Sequence, residues 1–360
     1  MEKNMDLGVY IKQIEQNKDL STGDAAQAMS LIMSVEAGES AKKDFLTALA
    51  GKGATTEEIA SFALTIRQIA KQFDLSNIDT GKVIVDTCGT GGGGETFNIS
   101  TTIMFILSAA GMVVAKHGNR AITSKCGSAD VLEALGVNIN MDTHRASRCL
   151  SEAGLTFLFA PLYHGAFKNV QKVRREIKIP TVFNIIGPLV NPAFANSHKQ
   201  GIKTVQILGV NQRGLTNKMA EVLKTLNLCR AMVVYGQGIE GGAGMDEIST
   251  LGDTFVCELM QNKEIKKYKI NPGDFGIKTA KPADLAAGTP KENAQILLDI
   301  LTGKERGAKR DIVLLNAAAG LYIGGKAGDL KQGIRLAAEY IDSGSAVNKL
   351  ELFRRLSCQA

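Results

Sequence analysis

The chain has no tryptophan, and aromatic residues make up only 5% of its 360 residues. Nucleic-acid-binding proteins commonly combine a concentrated basic patch with aromatic side chains on which bases stack. Here the net charge of +6 is modest, and lysine and arginine are spread along the chain. We therefore expect no nucleic-acid partner, because a small ligand that carries phosphate explains the positive excess equally well.

Paired cysteines are also missing from the sequence. The six cysteines contain no CxxC motif and no ligand-like spacing to the four histidines, which argues against a zinc site and against a disulfide framework. We interpret them as reduced thiols.

Long uninterrupted apolar runs are absent as well. The opening stretch MEKNMDLGVYIKQIEQNK lacks the apolar core of a signal peptide, and the later apolar stretches are broken by glycine, asparagine or charge. These patterns predict a cytoplasmic protein with no membrane partner. Since 44% of the residues are hydrophobic, a sizeable core is expected and a disordered or fibrous chain is excluded.

The length predicts two domains, or one large domain with a smaller appendage, because 360 residues exceed the usual limit for one hydrophobic core. Between residues 7 and 73, apolar side chains recur every three or four positions, which indicates about four helices. Ser21 ahead of Asp24, and Thr55 ahead of Glu57 and Glu58, are typical helix starts.

From KVIVDTCGT onward the pattern changes to short β-branched runs that alternate with helical stretches. Alternation of this kind predicts an α/β domain with a mostly parallel central sheet and flanking helices. The expected strands contain KVIVDTCGT, VVAKH, TFLFA, TVQILGV, RAMVVYG and FVCEL.

The first candidate site is the glycine-rich loop in DTCGTGGGGETFNIST, residues 86–101, between a predicted strand and the apolar helix TTIMFILSAAG. Free backbone N–H groups and the positive end of a helix dipole make such a junction suitable for phosphate. A glycine-rich turn with a helix cap is the alternative. The glycine spacing is not that of the dinucleotide fingerprint, and no Gly-Lys-Ser/Thr follows as in a Walker A loop.

Three further stretches contain polar side chains in a pattern typical of sites. AKHGNRAITSKCGSADVLEALG has dense polar residues at the end of a predicted strand, which favours a site over the alternative of a polar surface loop. Its polar residues are Lys116, His117, Asn119, Arg120, Ser124, Lys125 and Ser128.

GMDEIST supplies adjacent carboxylates, Asp246 and Glu247, which are either surface charges or ligands of Mg²⁺. The stretch from 159 to 193 supplies His164, Arg174 and Arg175. An arginine grips a carboxylate with two hydrogen bonds, and we interpret Arg175 as a helix-surface charge.

Together the motifs TFNIST, AKHGNR, GSADVLEALG, FNIIGPLVNPA and MDEIS resemble the anthranilate phosphoribosyltransferases, of the nucleoside-phosphorylase-like glycosyltransferase class, over essentially the whole chain. The resemblance implies a small N-terminal helical domain, residues 1–75, completed by about 170–192. It implies a larger α/β domain that binds phosphoribosyl pyrophosphate, from 76–169 and 193–360. It also implies homodimers formed through the helical domain.

The resemblance implies roles for individual residues. Lys116, Asp246 and Glu247 would be catalytic, and Ser100, Asp246 and Glu247 would hold Mg²⁺. The residues expected at phosphoribosyl pyrophosphate are Gly89, Gly92, Gly93, Thr96, Asn98, Ile99, Ser100, Thr101, Lys116 and Ser128. Those expected at anthranilate are Gly89, His117, Asn119, His164 and Arg174, with Arg174 on the carboxylate.

The implied reaction moves the phosphoribosyl group to the amine of anthranilate and releases pyrophosphate. Positive charge develops on the ribose and negative charge on the leaving group, so the metal and Lys116 would stabilise the departing pyrophosphate. The nucleophile is a neutral aromatic amine that needs positioning more than a strong base. We therefore expect no general base and no covalent intermediate.

Several positions depart from the family pattern. The family loop usually reads GTGGDG, then two residues, then TFN. Here Gly93 stands in place of the aspartate, and the loop is one residue shorter before Thr96. We therefore hypothesise altered metal binding or faster pyrophosphate release. Gly165, Cys126 and Pro180 are milder departures.

Rival functions at this point are transfer to another aromatic acid or amine, a nucleoside phosphorylase, and a weakly catalytic relative that binds nucleic acid. A phosphorylase would gain nothing from Asp246 and Glu247. A nucleic-acid-binding relative would be expected to lose the stretch from Lys116 to Arg120 and to concentrate its basic residues on one face.

Overall fold

The computed structural model describes residues 6–93, 96–121, 125–238 and 244–359. Its N-terminal part is a bundle of helices, as the helical periodicity predicts. The helices of this bundle are α1 (Leu7–Glu15), α2 (Thr22–Met33), α3 (Glu39–Lys52) and α4 (Thr56–Ile69). Both expected caps are present: Ser21 accepts a hydrogen bond from the N–H of Asp24, and Thr55 forms a capping box with Glu58.

A seven-stranded sheet forms the centre of the larger part of the chain. Its strands are β1 (Val83–Gly89), β2 (Val113–Gly118), β3 (Leu155–Phe159), β4 (Lys203–Gly209), β5 (Arg230–Gly236), β6 (Thr254–Leu259) and β7 (Ile265–Ile270). The spatial order is β3-β2-β1-β4-β5-β6-β7, with parallel pairing from β3 to β5 and antiparallel pairing of β6 and β7. The expectation of a mostly parallel sheet is confirmed.

Helices flank this sheet and connect its strands. They are α5 (Ile99–Ala109), α6 (Ser128–Ala134), α7 (Thr143–Ala153), α8 (Ala160–Tyr163), α9 (Lys168–Glu176), α10 (Phe183–Ile186), α11 (Leu215–Thr225), α12 (Pro290–Leu301), α13 (Ala308–Ile323), α14 (Leu330–Asp342) and α15 (Ser345–Cys358). The apolar α5 is buried beneath α13 and α15, which explains why its sequence is apolar on nearly every side. No helix in the described part of the chain is long and apolar enough to cross a membrane.

After β3 the chain returns to the helical bundle, where α9 packs on α2 and α3. The buried ammonium of Lys42, on α3, donates to the carbonyls of Ser34 (2.6 Å) and Asn169 (2.9 Å). The Asn169 side chain donates in turn to the carbonyl of Met33 at 2.8 Å. These bonds fix α9, and therefore Arg174, to the bundle.

The direction of strand addition reverses at β1. The chain adds β2 and β3 on one side of β1 and later adds β4 and β5 on its other side. The carboxyl ends of β1 and β4 therefore diverge into a crevice, which is where open α/β sheets bind ligands. The glycine-rich loop begins at this point.

Candidate functional site

The glycine-rich loop is held between β4 and the acidic segment. Thr90 donates its N–H to the carbonyl of Gly209 (2.9 Å), and the Asn211 side chain donates to the carbonyl of Gly91 (2.8 Å). The N–H of Gly91 donates to Asp246 Oδ2 at 2.9 Å. Gly91 and Gly92 both have φ of +75°, a conformation that other residues adopt at a cost.

Close approach of Asp246 explains two more glycines. A Cβ on Gly89 would lie 2.0 Å from Asp246 Oδ2. One on Gly93 would lie 2.7 Å from Asp246 Oδ1 and 2.9 Å from the carbonyl of Gly244. The loop therefore needs glycines to admit the carboxylate as well as to expose N–H groups, a reason that the sequence alone does not provide. Gly94 and Glu95 lie outside the described residues.

The N-terminus of α5 follows the loop. The Asn98 side chain donates to the carbonyl of Cys126 (3.1 Å) and accepts from Asn293 (3.1 Å), so it ties three segments together. Ser100 Oγ accepts a hydrogen bond from Lys116. Ile99 and Thr101 are only 1% exposed, which leaves their backbone groups as the parts available to a ligand at the helix start.

Thr96 sits at the edge of the loop. It forms an isolated antiparallel bridge with Ala286, and so connects the start of α5 to the segment before α12.

Lys116 lies beneath the loop, near the end of β2. Its side chain is 2% exposed, and its ammonium donates to the carbonyl of Thr87 (2.6 Å) and to Ser100 Oγ (3.1 Å). Burial lowers the pKa of Lys116, while the charge of Asp86 is the largest effect that opposes that shift. A buried cation that bonds only to neutral groups suits an anionic ligand.

Asp246 and Glu247 lie partly exposed, against the loop and the α5 start. Burial raises the pKa of both carboxyls, for Glu247 to about 8 with the charge of Asp246 as the second cause. Within the described ranges no three His, Cys, Asp or Glu side chains converge as a metal site. Two carboxylates plus substrate phosphates are a common environment for Mg²⁺, and a divalent cation would offset the repulsion between these two groups. The donor set therefore fits Mg²⁺.

The described residues on either side of 122–124, between β2 and α6, are joined by hydrogen bonds. Ser128 Oγ donates to the carbonyl of Asn119 at 3.3 Å, which brings these two expected ligands together. Arg120 makes two bonds to Glu133, at 2.8 and 3.0 Å, and one to Asp130 at 3.1 Å, so it is paired with two carboxylates of α6. Ser124 lies outside the described residues.

His117 and His164 meet on the other face of the sheet. Their ring centroids are 5.0 Å apart in an edge-to-face arrangement. Burial lowers the pKa of both, for His164 to about 4, so both rings are neutral near pH 7. Lys116 and His117 are neighbours in β2, and alternation along the strand sends them to opposite faces.

Two phenylalanines that the sequence patterns do not indicate complete an aromatic cluster. Phe167 lies 5.7 Å from the His164 ring and 5.7 Å from Phe183, between ring centroids. Both belong to short apolar runs that resemble core segments. Only their juxtaposition beside the histidines identifies them.

Arg174 extends over this cluster from α9. Its guanidinium carbon lies 5.0 Å from the Phe183 ring and 5.9 Å from the Phe167 ring. Burial lowers the pKa of Arg174, and no ion pair of this residue is found among the described side chains. Arg175 is exposed, as predicted.

Comparisons with known proteins agree with this architecture. Residues 81–347 match the glycosyl transferase family, a/b domain, and residues 9–70 match the helical bundle domain of the same family. Anthranilate phosphoribosyltransferase of Clostridium kluyveri is 47% identical over 346 residues, which covers 96% of this chain and 98% of the relative. The enzyme of that name from Thermoanaerobacter sp. is 48% identical over 352 residues, with coverage of 96% and 98%.

Solved structures of this kind also superpose over nearly the whole chain. Anthranilate phosphoribosyltransferase from Thermus thermophilus has a TM-score of 0.87 at 35% identity, and the match covers 99% of this chain and 100% of that one. The Saccharomyces cerevisiae protein, solved in complex with PRPP and Mg, has a TM-score of 0.84 at 29% identity, with coverage of 98% and 97%.

Proposed function

The chain belongs to the anthranilate phosphoribosyltransferase family, and from this premise we propose how its site performs the family reaction. The phosphoribosyl group of phosphoribosyl pyrophosphate (PRPP) is transferred to the amine of anthranilate, in tryptophan biosynthesis. The products are N-(5-phosphoribosyl)-anthranilate and pyrophosphate.

PRPP binds at the crevice beside β1. The backbone of Gly89, Gly92 and Gly93 and the start of α5 surround the pyrophosphate, since N–H groups and a helix dipole favour anions there. Thr96, Asn98, Ile99, Ser100, Thr101, Lys116 and Ser128 are the remaining contacts that we assign. The support is the position of this loop at the point where strand order reverses.

Mg²⁺ would be held by Asp246 and Glu247, with Ser100 contributing its hydroxyl. The support is the fit of the donor set and the complex of the yeast relative with PRPP and Mg. The ion would supply charge neutralisation on the pyrophosphate. Lys116 adds a buried positive charge at the same end of the ribose, in an environment where water does not screen it.

Anthranilate binds at the aromatic cluster, with Arg174 on its carboxylate and Asn119, His117, His164 and Gly89 around its ring and amine. The observation that carries this proposal is the Arg174 guanidinium, which lies half-buried over two aromatic rings without a carboxylate partner in the described part of the chain. A relative in yeast was solved in complex with 4-fluoroanthranilate.

The neutral histidines position the amine and exclude water without removing a proton beforehand. A neutral aromatic amine already carries the lone pair that attacks the anomeric carbon, so orientation is the main requirement. We therefore assign no general base and no covalent intermediate.

We also propose how the chain divides into domains, how two chains associate and where the protein is located. Residues 1–75 with about 170–192 form the helical domain, which the contacts of α9 with α2 and α3 support. The remaining chain forms the α/β domain. Two chains associate through the helical domain, supported by the exposed apolar side chains of Val9, Leu64 and Ile69 there. The cytoplasm is the proposed location.

Anthranilate fluorescence tests the function directly. Enzyme, PRPP, Mg²⁺ and anthranilate are mixed, and a sample with a metal chelator serves as the control. We expect steady loss of anthranilate that stops without metal. If anthranilate is not consumed while calorimetry shows that PRPP binds, the assignment of the donor site stands and the assignment of the acceptor is overturned.

A further inference from the structure

Two consecutive backbone carbonyls in the segment 187–190 accept hydrogen bonds from buried polar side chains of distant elements. Gln206 Nε2 donates to the carbonyl of Pro188 at 2.7 Å, and Arg67 Nε donates to that of Leu189 at 2.7 Å. Burial lowers the pKa of His117 and His164, and the backbone of Gly187 and of Val190, respectively, opposes that shift. Both ring nitrogens of His164 and Nε2 of His117 have no hydrogen-bond partner in the described residues. We call residues 187–190 the acceptor strap.

The two donors come from distant parts of the chain. Arg67 belongs to α4 of the helical bundle, and Gln206 belongs to β4, directly opposite Asp86 of β1. Arg67 is 3% exposed and Gln206 is fully buried. The acceptor strap cannot move relative to the sheet or the bundle without breaking a hydrogen bond that water cannot replace.

The next residue fixes the end of the strap. The buried Asn191 side chain donates to the carbonyl of Ala115, at 2.7 Å, and accepts from the N–H of Ala193 at 2.9 Å. Ala115 precedes Lys116 and His117 in β2, so this bond fixes the end of the strap to the strand that carries one residue assigned to PRPP and one assigned to anthranilate.

Both donors also retain unused polar atoms. Arg67 Nη2 and Gln206 Oε1 are buried with no hydrogen-bond partner in the described residues, as is Asp86 Oδ1 beside them. A buried polar atom without a hydrogen-bond partner costs free energy of folding, and a leucine or methionine at the same position would avoid that cost. Polar residues here therefore need a reason beyond packing. Their bonds to the strap provide one, and the buried Asp86, which accepts from Gln206 and whose charge raises the pKa of Arg67 against the larger lowering by burial, provides another.

We propose that Gln206 and Arg67 are positioning residues for the acceptor. By holding the carbonyls of Pro188 and Leu189, they fix the acceptor strap and, through it, the orientation of His117 and His164 around anthranilate. This inference rests on the proposed function. Neither residue has a hydrogen bond to Lys116, Ser100 or the acidic pair in the described part of the chain, although Gln206 also donates to Asp86 Oδ2 and to Cys88 Sγ, each at 3.3 Å.

Two variants test the proposal. Gln206→Met keeps the side-chain length and removes the donor, and Arg67→Lys keeps the charge and removes Nε. Ser108→Ala is the matched control, because Ser108 is fully buried and donates to the carbonyl of Ala153 (2.9 Å), between α5 and α7. Steady-state kinetics give KM for each substrate and kcat, fluorescence titration gives anthranilate binding, and thermal melting checks folding.

We expect the KM and the Kd for anthranilate to rise about tenfold in both variants, while the KM for PRPP stays within about twofold. The Ser108→Ala control should leave both KM values and the Kd for anthranilate unchanged. Equal increases in both KM values, or an unchanged KM for anthranilate in a folded variant, would overturn the positioning role. A wild-type enzyme that does not consume anthranilate would instead overturn the proposed function.

Discussion

Arg174 is the residue on which recognition of the acceptor depends. Its guanidinium lies over Phe183 and Phe167, and burial already removes part of its hydration. A carboxylate that pairs with it gains a charge-assisted bond in an environment that strengthens electrostatic interactions.

Replacing Arg174 with alanine should therefore weaken anthranilate binding. We expect the KM for anthranilate to rise by roughly 100-fold, about 2 to 3 kcal/mol, with the KM for PRPP little changed. Arg175→Ala is the control, because Arg175 follows in sequence and its side chain is exposed. If the two variants behave alike, another group holds the carboxylate.

Gly93 lies in the glycine-rich loop, against Asp246. The family pattern has an aspartate there, and restoring it is an obvious experiment. In this chain, however, a Cβ on Gly93 would meet the Asp246 carboxylate, its N–H and the carbonyl of Gly244 at 2.7 to 3.0 Å. The loop therefore packs directly against Asp246.

We expect both Gly93→Ala and Gly93→Asp to lower kcat/KM for PRPP, by about tenfold or more, because the loop or Asp246 must shift. Gly214→Ala is the control, since nothing lies within 4 Å of a Cβ there. The measurement is the rate as a function of Mg²⁺ and PRPP concentration. An unchanged rate and metal dependence in Gly93→Asp would also remove the hypothesis of altered metal binding or pyrophosphate release.

At the scale of elements, α9 links Arg174 to the helical bundle. The link depends on Lys42, whose buried ammonium bonds the end of α2 to the start of α9. Burial lowers the pKa of Lys42, because the ammonium loses hydration there.

Lys42→Met should destabilise the protein by about 1 to 3 kcal/mol and raise the KM for anthranilate, since two carbonyls lose their partner and α9 loosens. Lys43→Met is the control, because the neighbouring Lys43 is exposed. Denaturant unfolding and steady-state kinetics measure the two effects. A loss of stability without any change in the KM for anthranilate would mean that α9 keeps its position by other contacts.

At the scale of the whole molecule, two parts of the chain combine into one site. The sheet supplies the loop, Lys116 and the acidic pair, while the bundle and its associated segment supply Arg174 and Arg67. The segment from Gly187 to Asn191 lies between them. Substrates that bind both parts would hold the two domains together.

Assembly can be tested on the helical domain. If dimers form there, Leu64→Glu should shift the mass in sedimentation equilibrium toward the monomer, because the 41% exposed side chain would be buried between chains. Leu162→Glu is the control, with 39% exposure outside the bundle. Identical masses for Leu64→Glu and the unaltered protein would exclude Leu64 from an interface.

The sequence by itself determined the elements and their order. Helical periodicity indicated the bundle, β-branched runs indicated β1 to β6, and Ser21 and Thr55 marked helix starts, because these features depend on neighbours a few residues apart. The same local patterns placed Lys116 and His117 at a strand end and Arg174 on a helix. The motifs then identified the family.

Only the tertiary structure decided which of these residues meet. Asp246 lies against Gly89 and Gly93, His117 lies against His164, and Phe167 lies against Phe183. Arg67 and Gln206 reach the acceptor strap from α4 and β4, a contact that no local pattern specifies. The physical reason is that such contacts follow from strand order and from the packing of the bundle on the sheet, which are properties of the whole chain.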